Sequence, residues 1–114
     1  MNGGGSLLTL SFYGSKKVMP NYNVMGIAKA ALETSVKYLS VDLGDKNIRV
    51  NAISAGPMRT LAGAAIANAR DVYNYTQANS ALKRNVKLEE IGNAALFWVL
   101  DYILFLAVLI TIFP

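Results

Sequence analysis

The chain contains no cysteine and no histidine among its 114 residues. Without cysteine there are no disulfides, no cysteine-ligated zinc and no thiol catalysis, and without histidine the commonest general base and metal ligand is missing. We therefore expect no metal site. The 11 basic and 7 acidic residues give a net charge of +4, and the basic residues are dispersed along the chain. This pattern argues against nucleic-acid binding and suits an acidic protein partner better.

The sequence also lacks a glycine-rich phosphate-binding turn. Its triple glycine, Gly3 to Gly5, precedes an apolar run but does not form the G-x-G-x-x-G pattern that leads from a strand into a helix. We interpret the three glycines as a flexible lead into a strand. No charged segment followed by an apolar one stands at the start, so the sequence predicts no secretory signal.

Two short segments have the patterns of buried strands. Residues 6–11 form an apolar run with glycines on both sides, which is typical of a parallel strand. Residues 48–54 alternate between two faces and are followed by Gly56 and Pro57, which end the strand. Each segment predicts a strand of an α/β fold.

Helices are predicted between and after these strands. Pro20 stands near the start of a long helix and Gly44 ends it. Further helices are predicted over residues 71–81, with a turn, and over residues 87–100, where two glutamates favour the N-terminus. In the long helix, apolar residues three or four apart predict a stripe that packs on the sheet. The stripe consists of Val24, Ala28, Ala31, Leu32, Val36, Leu39 and Leu43.

Tyr22 and Lys29 stand seven residues apart at the start of this helix. Seven residues make almost two helical turns, so the two side chains are predicted to project from one face. A tyrosine has an ordinary pKa near ~10, and a neighbouring cation lowers it by stabilising the phenolate. The pair therefore predicts a proton-donating unit. The alternative interpretation is an ordinary helix surface, because such pairs also occur by chance.

Residues 55–61 follow the second strand directly. In open parallel sheets, ligands collect outside the carboxyl ends of the strands, so this segment lies where a cofactor is expected. Thr60 is predicted to cap the next helix, whose backbone N–H groups can meet a phosphate. The alternative is a plain strand-to-helix loop.

Two longer motifs carry a family resemblance. Residues 21–33 read Asn-Tyr-Asn-Val-Met-Gly-Ile-Ala-Lys-Ala-Ala-Leu-Glu, and residues 51–57 read Asn-Ala-Ile-Ser-Ala-Gly-Pro. From about Gly3 to Leu100 the chain resembles the short-chain dehydrogenase/reductase family, and specifically the bacterial NADH-dependent enoyl-acyl-carrier-protein reductases. The resemblance implies the C-terminal part of a doubly wound, parallel-sheet (Rossmann-like) α/β domain, incomplete because the phosphate turn is missing. It also implies a cytoplasmic oxidoreductase of fatty-acid biosynthesis.

The resemblance implies roles for individual residues. Tyr22 would hydrogen-bond the thioester carbonyl and support the enolate that forms on hydride transfer from NADH. Lys29 would hold the ribose hydroxyls of the nicotinamide side and keep positive potential beside Tyr22. The implied partner is an enoyl thioester on acyl carrier protein, and the implied assembly is a homo-oligomer. The cofactor would also contact a stretch consisting of Met58, Arg59, Thr60, Leu61 and Ala62.

The first departure from the family lies ten residues before Tyr22. The enoyl reductases carry another active-site tyrosine there, whereas this chain has Phe12 followed by Tyr13. Either Tyr13 takes over the catalytic hydroxyl, or the Phe12 ring lines the pocket without a hydroxyl. In a third interpretation, Tyr13 packs on the pocket rim.

The second departure is the tail of residues 101–114. The family continues with a polar segment, a glycine turn and a last parallel strand, and the tail lacks the polar turn that such a strand needs. Between Ala94 and Phe113 only Asp101 and Thr111 interrupt apolar residues, which approaches the ~20 residues of a membrane span. We therefore divide the chain into a reductase portion, residues 1–100, and an unrelated apolar tail, residues 101–114.

The tail has two interpretations: a broken reading frame that replaced the true C-terminus, or a membrane anchor. In either case we expect the isolated chain to be inactive. The alternative to a reductase is a non-catalytic gene remnant that associates with membranes through the tail.

Overall fold

The computed structural model of the chain describes residues 3–100 and the backbone of residues 110–112. Strands and helices alternate, as in an α/β fold. The elements are β1 (Gly5–Ser11), a 3-10 turn (Tyr13–Ser15), α1 (Asn23–Gly44), β2 (Ile48–Ser54), α2 (Leu61–Ala64), α3 (Ala69–Asn79), α4 (Leu88–Val99) and β3 (Ile110–Ile112).

The described strands form a parallel sheet in the order β1-β2-β3. β1 pairs with β2 along its whole length, from Gly5 opposite Ile48 to Ser11 opposite Ser54. β3 pairs with the carboxyl half of β2, where Ala52 lies opposite Ile110. The sequence-based prediction of strands at residues 6–11 and 48–54 is confirmed, but the predicted burial of the first is wrong, because only Ser11 of β1 is buried.

Helices cover both faces of β2. One buried cluster joins β2 to α1, and a second joins β2 to α4. Because both faces of the strand are covered, β2 is buried at almost every position, as expected for a strand of a parallel sheet. The first cluster consists of Val36, Ile48, Val50 and Ala52, and the second of Ile53, Ala55, Ile91 and Trp98.

The helix boundaries agree with the sequence patterns to within a few residues. α1 ends at Gly44 as predicted and begins at Asn23, shortly after Pro20. α3 and α4 lie within two residues of their predicted limits. Local patterns were therefore sufficient to locate the helices.

The apolar stripe predicted on α1 does not coincide with its buried face. Glu33, Val36 and Ser40, three and four residues apart, are the buried residues of this helix. Two of the three are polar, so a search for apolar residues misplaced the face. The prediction of burial is wrong for four exposed members of the stripe: Val24, Ala28, Ala31 and Leu39.

The turn from α1 into β2 packs against the start of β1. Asn47 and Gly4 both have left-handed backbone angles, with φ of 54° and 92°. The Gly5 N–H donates to the Asn47 carbonyl oxygen at 3.0 Å. A Cβ atom on Gly4 would lie 2.7 Å from that oxygen, so only glycine fits. Gly4 is therefore required by a close backbone contact at this point, whereas nothing lies within 4 Å of the Cβ position of Gly3.

Most of the apolar tail, residues 101–109 and 113–114, lies outside the described residues, and so do the interpretations that rest on it. Residues 110–112 of the tail form β3 and pair with β2, although the tail lacks the polar turn that such a strand was expected to need. Within the described ranges, no helix is long and apolar enough to cross a membrane.

Candidate active site

The parallel pairing of β1 and β2 sets the location of the candidate site. Ser11 and Ser54, the last residues of the two strands, lie opposite each other, so both strands end at the same edge of the sheet. The segment after β1 leads to Tyr22, and the segment after β2 contains residues 55–60. The fold thus brings the predicted catalytic and cofactor segments to the edge where ligands bind in such sheets.

The Tyr22 ring is held by the segment that follows β1. Tyr22 is the N-terminal capping residue of α1 and only 7% exposed. Its ring packs edge-to-face on Phe12, with 5.1 Å between the ring centroids. On another side it lies against Gly14, where a Cβ atom would overlap Cδ1 and Cε1 of the ring. Tyr22 is therefore a fixed ring in a close-fitting pocket.

Burial raises the pKa of Tyr22 above its ordinary value. The sequence-based expectation was the opposite, that the Lys29 cation would lower this pKa, and it is corrected here. No hydrogen bond joins the two side chains within the described residues. A hydroxyl with a raised pKa stays protonated at neutral pH, so it can donate a hydrogen bond.

Lys29 lies on α1 and reaches back to β1. Its Nζ atom donates to the Leu10 carbonyl oxygen at 2.7 Å, next to the carboxyl end of the strand. This bond uses one of the three N–H donors of the ammonium group. Lys29 and Tyr22 thus both contact residues 10–14. Lys29 bonds to Leu10, whereas the Tyr22 ring packs on Phe12 and Gly14.

Tyr13 lies in the 3-10 turn and is 41% exposed. Phe12, not Tyr13, makes the ring contact with Tyr22. The Tyr13 backbone carbonyl accepts hydrogen bonds from the N–H groups of Lys16 and Lys17, which closes the turn. Tyr13 is therefore an exposed residue of the turn that follows β1.

The predicted cofactor stretch begins after β2. Met58 is partly buried and packs against the cluster between β2 and α4, whereas Arg59 lies over the Tyr73 ring at 4.8 Å. The Thr60 hydroxyl accepts a hydrogen bond from the Gly63 N–H at 3.0 Å, which confirms Thr60 as the helix cap. Leu61 and Ala62, the first residues of α2, are exposed.

Sequence reasoning missed a buried carboxylate beside the site. Glu33 is 6% exposed and accepts hydrogen bonds from the hydroxyls of Ser11, at 2.6 Å, and Ser15, at 2.5 Å. The available signal was a glutamate one helical turn after Lys29, which looks like any solvent-facing residue of a helix. Its burial follows only from the packing of α1 on β1.

In the part of the chain that the structure describes, no group of three or more acidic side chains is close enough together to hold a metal ion.

The architecture matches solved structures of similar sequence. A crystal structure of FabI from Candidatus Liberibacter asiaticus superposes with a TM-score of 0.91 at 51% identity, covering 98% of this chain and 43% of that one. An enoyl-(acyl-carrier-protein) reductase from Anaplasma phagocytophilum, solved in complex with NAD, gives a TM-score of 0.87 at 51% identity, with 97% and 42% covered. The structure is therefore part of a doubly wound, Rossmann-like domain.

Sequence comparison agrees. The family model described as enoyl-(acyl carrier protein) reductase matches residues 1–106, and the chain belongs to this family. The NADH-dependent reductase 1 of Rhizobium meliloti (strain 1021) is 59% identical over 101 residues, which cover 89% of this chain. FabI of Rickettsia typhi (strain ATCC VR-144 / Wilmington) is 56% identical over 97 residues, or 85% of this chain. The chain spans 37% of the length of each of these curated relatives.

Proposed function

We propose that this chain carries the catalytic part of an NADH-dependent enoyl-acyl-carrier-protein reductase. The reaction is reduction of the trans-2 double bond of enoyl thioesters on acyl carrier protein during fatty-acid biosynthesis in the cytoplasm. The observation that carries the proposal is the convergence of Tyr22 and Lys29 on residues 10–14 in a member of this family. Complete enzymes of this kind are proposed to be homo-oligomers.

Tyr22 is proposed as the hydrogen-bond donor to the thioester carbonyl oxygen. Reduction at the β-carbon places negative charge on that oxygen, and a fixed donor stabilises the resulting enolate. Burial suits this role in two ways: it fixes the ring, and it raises the pKa, so that the phenol keeps its proton until charge develops. Tyr13 is proposed as a secondary hydroxyl at the rim of the pocket.

Lys29 is proposed to bind the ribose hydroxyls on the nicotinamide side. Its bond to Leu10 holds the ammonium group at the carboxyl end of β1 and leaves two N–H donors for other partners. A fixed positive charge there also favours negative charge on a substrate bound at Tyr22.

The residues present fit one end of the cofactor only. NADH, when bound, supplies the hydride. Met58, Arg59, Thr60, Leu61 and Ala62 are proposed to line the nicotinamide and pyrophosphate side, where the Thr60 hydroxyl keeps its proton for donation because it accepts from Gly63. No glycine-rich turn is available in this sequence for the rest of the dinucleotide, so we do not expect the isolated chain to be active.

The division of the chain at residue 100 is part of the proposal. Residues 1–100 are proposed as the reductase portion and residues 101–114 as a separate apolar tail. The competing function, a non-catalytic remnant with membrane affinity, is favoured by the apolar composition of residues 94–113.

A hybrid enzyme tests the proposal. Residues 1–100 replace the matching residues of the Rhizobium meliloti reductase, which is 59% identical and supplies the missing turn. NADH oxidation in the presence of a trans-2-enoyl thioester is then followed at 340 nm. We expect substrate-dependent oxidation that disappears when Tyr22 is changed to Phe. A folded hybrid that binds NADH and shows no turnover would favour the non-catalytic alternative.

A further inference from the structure

The buried carboxylate of Glu33 connects α1 to the segment that holds Tyr22. A single oxygen, Oε1, accepts from the hydroxyls of both Ser11 and Ser15, at 2.6 and 2.5 Å. These distances lie in the range of charge-assisted bonds between a hydroxyl and a carboxylate. Ser11 is the last residue of β1 and Ser15 the last residue of the 3-10 turn. Glu33 therefore accepts hydrogen bonds from the first and the last residue of the segment 11–15.

Between these two serines lie the residues that contact the Tyr22 ring. Phe12 packs on it edge-to-face, and Gly14 leaves room for it where a Cβ atom would overlap. Glu33 itself has no hydrogen bond to Tyr22 within the described residues. The two serines and the turn between them connect the carboxylate to the contacts of the tyrosine ring.

Packing alone does not explain a glutamate at this position. Burying a charged group costs free energy unless hydrogen bonds compensate, and an apolar side chain in its place would avoid that cost. An apolar side chain would, however, leave the hydroxyl of the buried Ser11 without its acceptor. The position therefore requires an acceptor oxygen, which Glu33 supplies to both serine hydroxyls.

We propose that Glu33 is a positioning residue that sets the orientation of Tyr22 through the turn of residues 11–15. Its functional meaning rests on the donor role proposed for Tyr22, because a donor must be held close to its productive geometry. Lys29 bonds to Leu10, the residue before this segment, and Lys16 and Lys17 follow the turn with exposed side chains. Glu33 accepts hydrogen bonds from the residues at both ends of the segment.

The test is nuclear magnetic resonance of the full chain with 13C-labelled tyrosine rings, in one mild-detergent buffer for all variants. The Tyr22 signal is the one lost in Tyr22→Phe. In the unchanged chain the Phe12 ring current should shift it away from the signals of exposed tyrosines such as Tyr38 and Tyr75. Loss of this shift in Phe12→Leu establishes that it reports the ring contact.

Glu33→Leu should abolish the ring-current shift of Tyr22, whereas Glu33→Gln, which keeps an acceptor oxygen, should retain most of it. Asp42→Leu, which removes an exposed carboxylate of the same helix, is the matched control and should leave the shift unchanged. An unchanged Tyr22 signal in a helical Glu33→Leu chain would overturn the proposal and leave Glu33 a purely structural role.

If Glu33→Leu loses its helical circular dichroism, Ser15→Ala decides the question. This variant removes one of the two donors from the turn, and we expect a partial loss of the shift, while no change would overturn the proposal. None of these readouts depends on turnover. An inactive hybrid enzyme would therefore refute the proposed reaction without affecting the positioning role. An unchanged Tyr22 signal in the Glu33 variant would refute the positioning role without affecting the proposed reaction.

Discussion

The Phe12 ring packs edge-to-face on the Tyr22 ring, with 5.1 Å between centroids and 65° between the ring planes. By the family resemblance a second active-site tyrosine is expected at the position of Phe12, so an apolar ring contacts the proposed donor directly. With Gly14 on another side, the Tyr22 ring has little room to move. Burial in this packing raises the pKa of Tyr22.

In the hybrid enzyme, Tyr22→Phe should lower kcat by about 10²–10³-fold, the usual cost of removing one oxyanion donor. The Michaelis constant for NADH should change little, because the phenol is not a cofactor ligand in this scheme. Lys29→Ala should lower kcat and also raise the Michaelis constant for NADH. Tyr38→Phe and Lys37→Ala, at exposed positions of the same helix, are the controls. Unchanged kcat in both site variants would remove the pair from the mechanism.

Gly14→Ala should destabilise the chain because the added Cβ overlaps the Tyr22 ring. Overpacking of this kind typically costs about 1–3 kcal/mol. Gly92→Ala is the matched control, since nothing lies within 4 Å of its Cβ position and alanine favours a helix by about 0.5–1 kcal/mol. Urea unfolding followed by circular dichroism measures both. Equal free energies of unfolding for Gly14→Ala and the unchanged chain would mean that the Tyr22 ring moves aside without loss of stability.

The isolated 114-residue chain should not bind NADH appreciably. The residues proposed for the nicotinamide side are present, but the glycine-rich turn that holds the pyrophosphate is not in the sequence. Isothermal titration calorimetry should show no saturable heat, whereas the hybrid enzyme under the same conditions should. A micromolar dissociation constant for the isolated chain would contradict this prediction.

Glu90 should titrate far below an ordinary glutamate. The Arg84 guanidinium binds its two carboxylate oxygens at 2.9 and 2.6 Å, and the Lys87 N–H adds a third bond, which together lower the pKa of Glu90 to about 2. Since the folded-state pKa lies below the unfolded one, the stabilisation is present above the unfolded pKa and is lost as pH falls towards 2.

Arg84→Ala should raise the titration midpoint of Glu90, though not to its ordinary value, because the Lys87 N–H still donates. Carboxyl 13C resonances measured against pH provide the readout. Arg70→Ala removes an exposed arginine elsewhere and should leave the midpoint in place. If Arg84→Ala also has no effect, the ion pair does not form in solution.

Deleting residues 101–114 should move the expressed chain from the membrane or aggregate fraction toward the soluble fraction. The reason is the nearly unbroken apolar run from Tyr102 to Phe113, which has no polar face to meet water. Fractionation by ultracentrifugation compares the two chains. A full chain that is monomeric without detergent would show that the run packs inside the fold, as an extension of the β3 pairing with β2.

Local patterns were enough to predict β1, β2, the α-helices and the class of fold, whereas β3 was not predicted. β2 was predicted correctly from its alternation and the Gly-Pro that follows, and α1 from its length and the glycine at its end. The Thr60 cap was also predictable, because an N-cap depends on groups only three residues apart. The motifs around Tyr22 were sufficient to identify the family.

Packing between distant segments decided the rest. Sequence placed Tyr22 and Lys29 on one helix face, but only the fold determined that burial raises the Tyr22 pKa and that Lys29 bonds to Leu10, 19 residues away. The burial of Glu33 depends in the same way on Ser11, 22 residues before it. The polarity and spacing of a residue limit the contacts that it can make. Its desolvation and its hydrogen bonds depend on which remote segment covers it, and only the tertiary structure decides which segment that is.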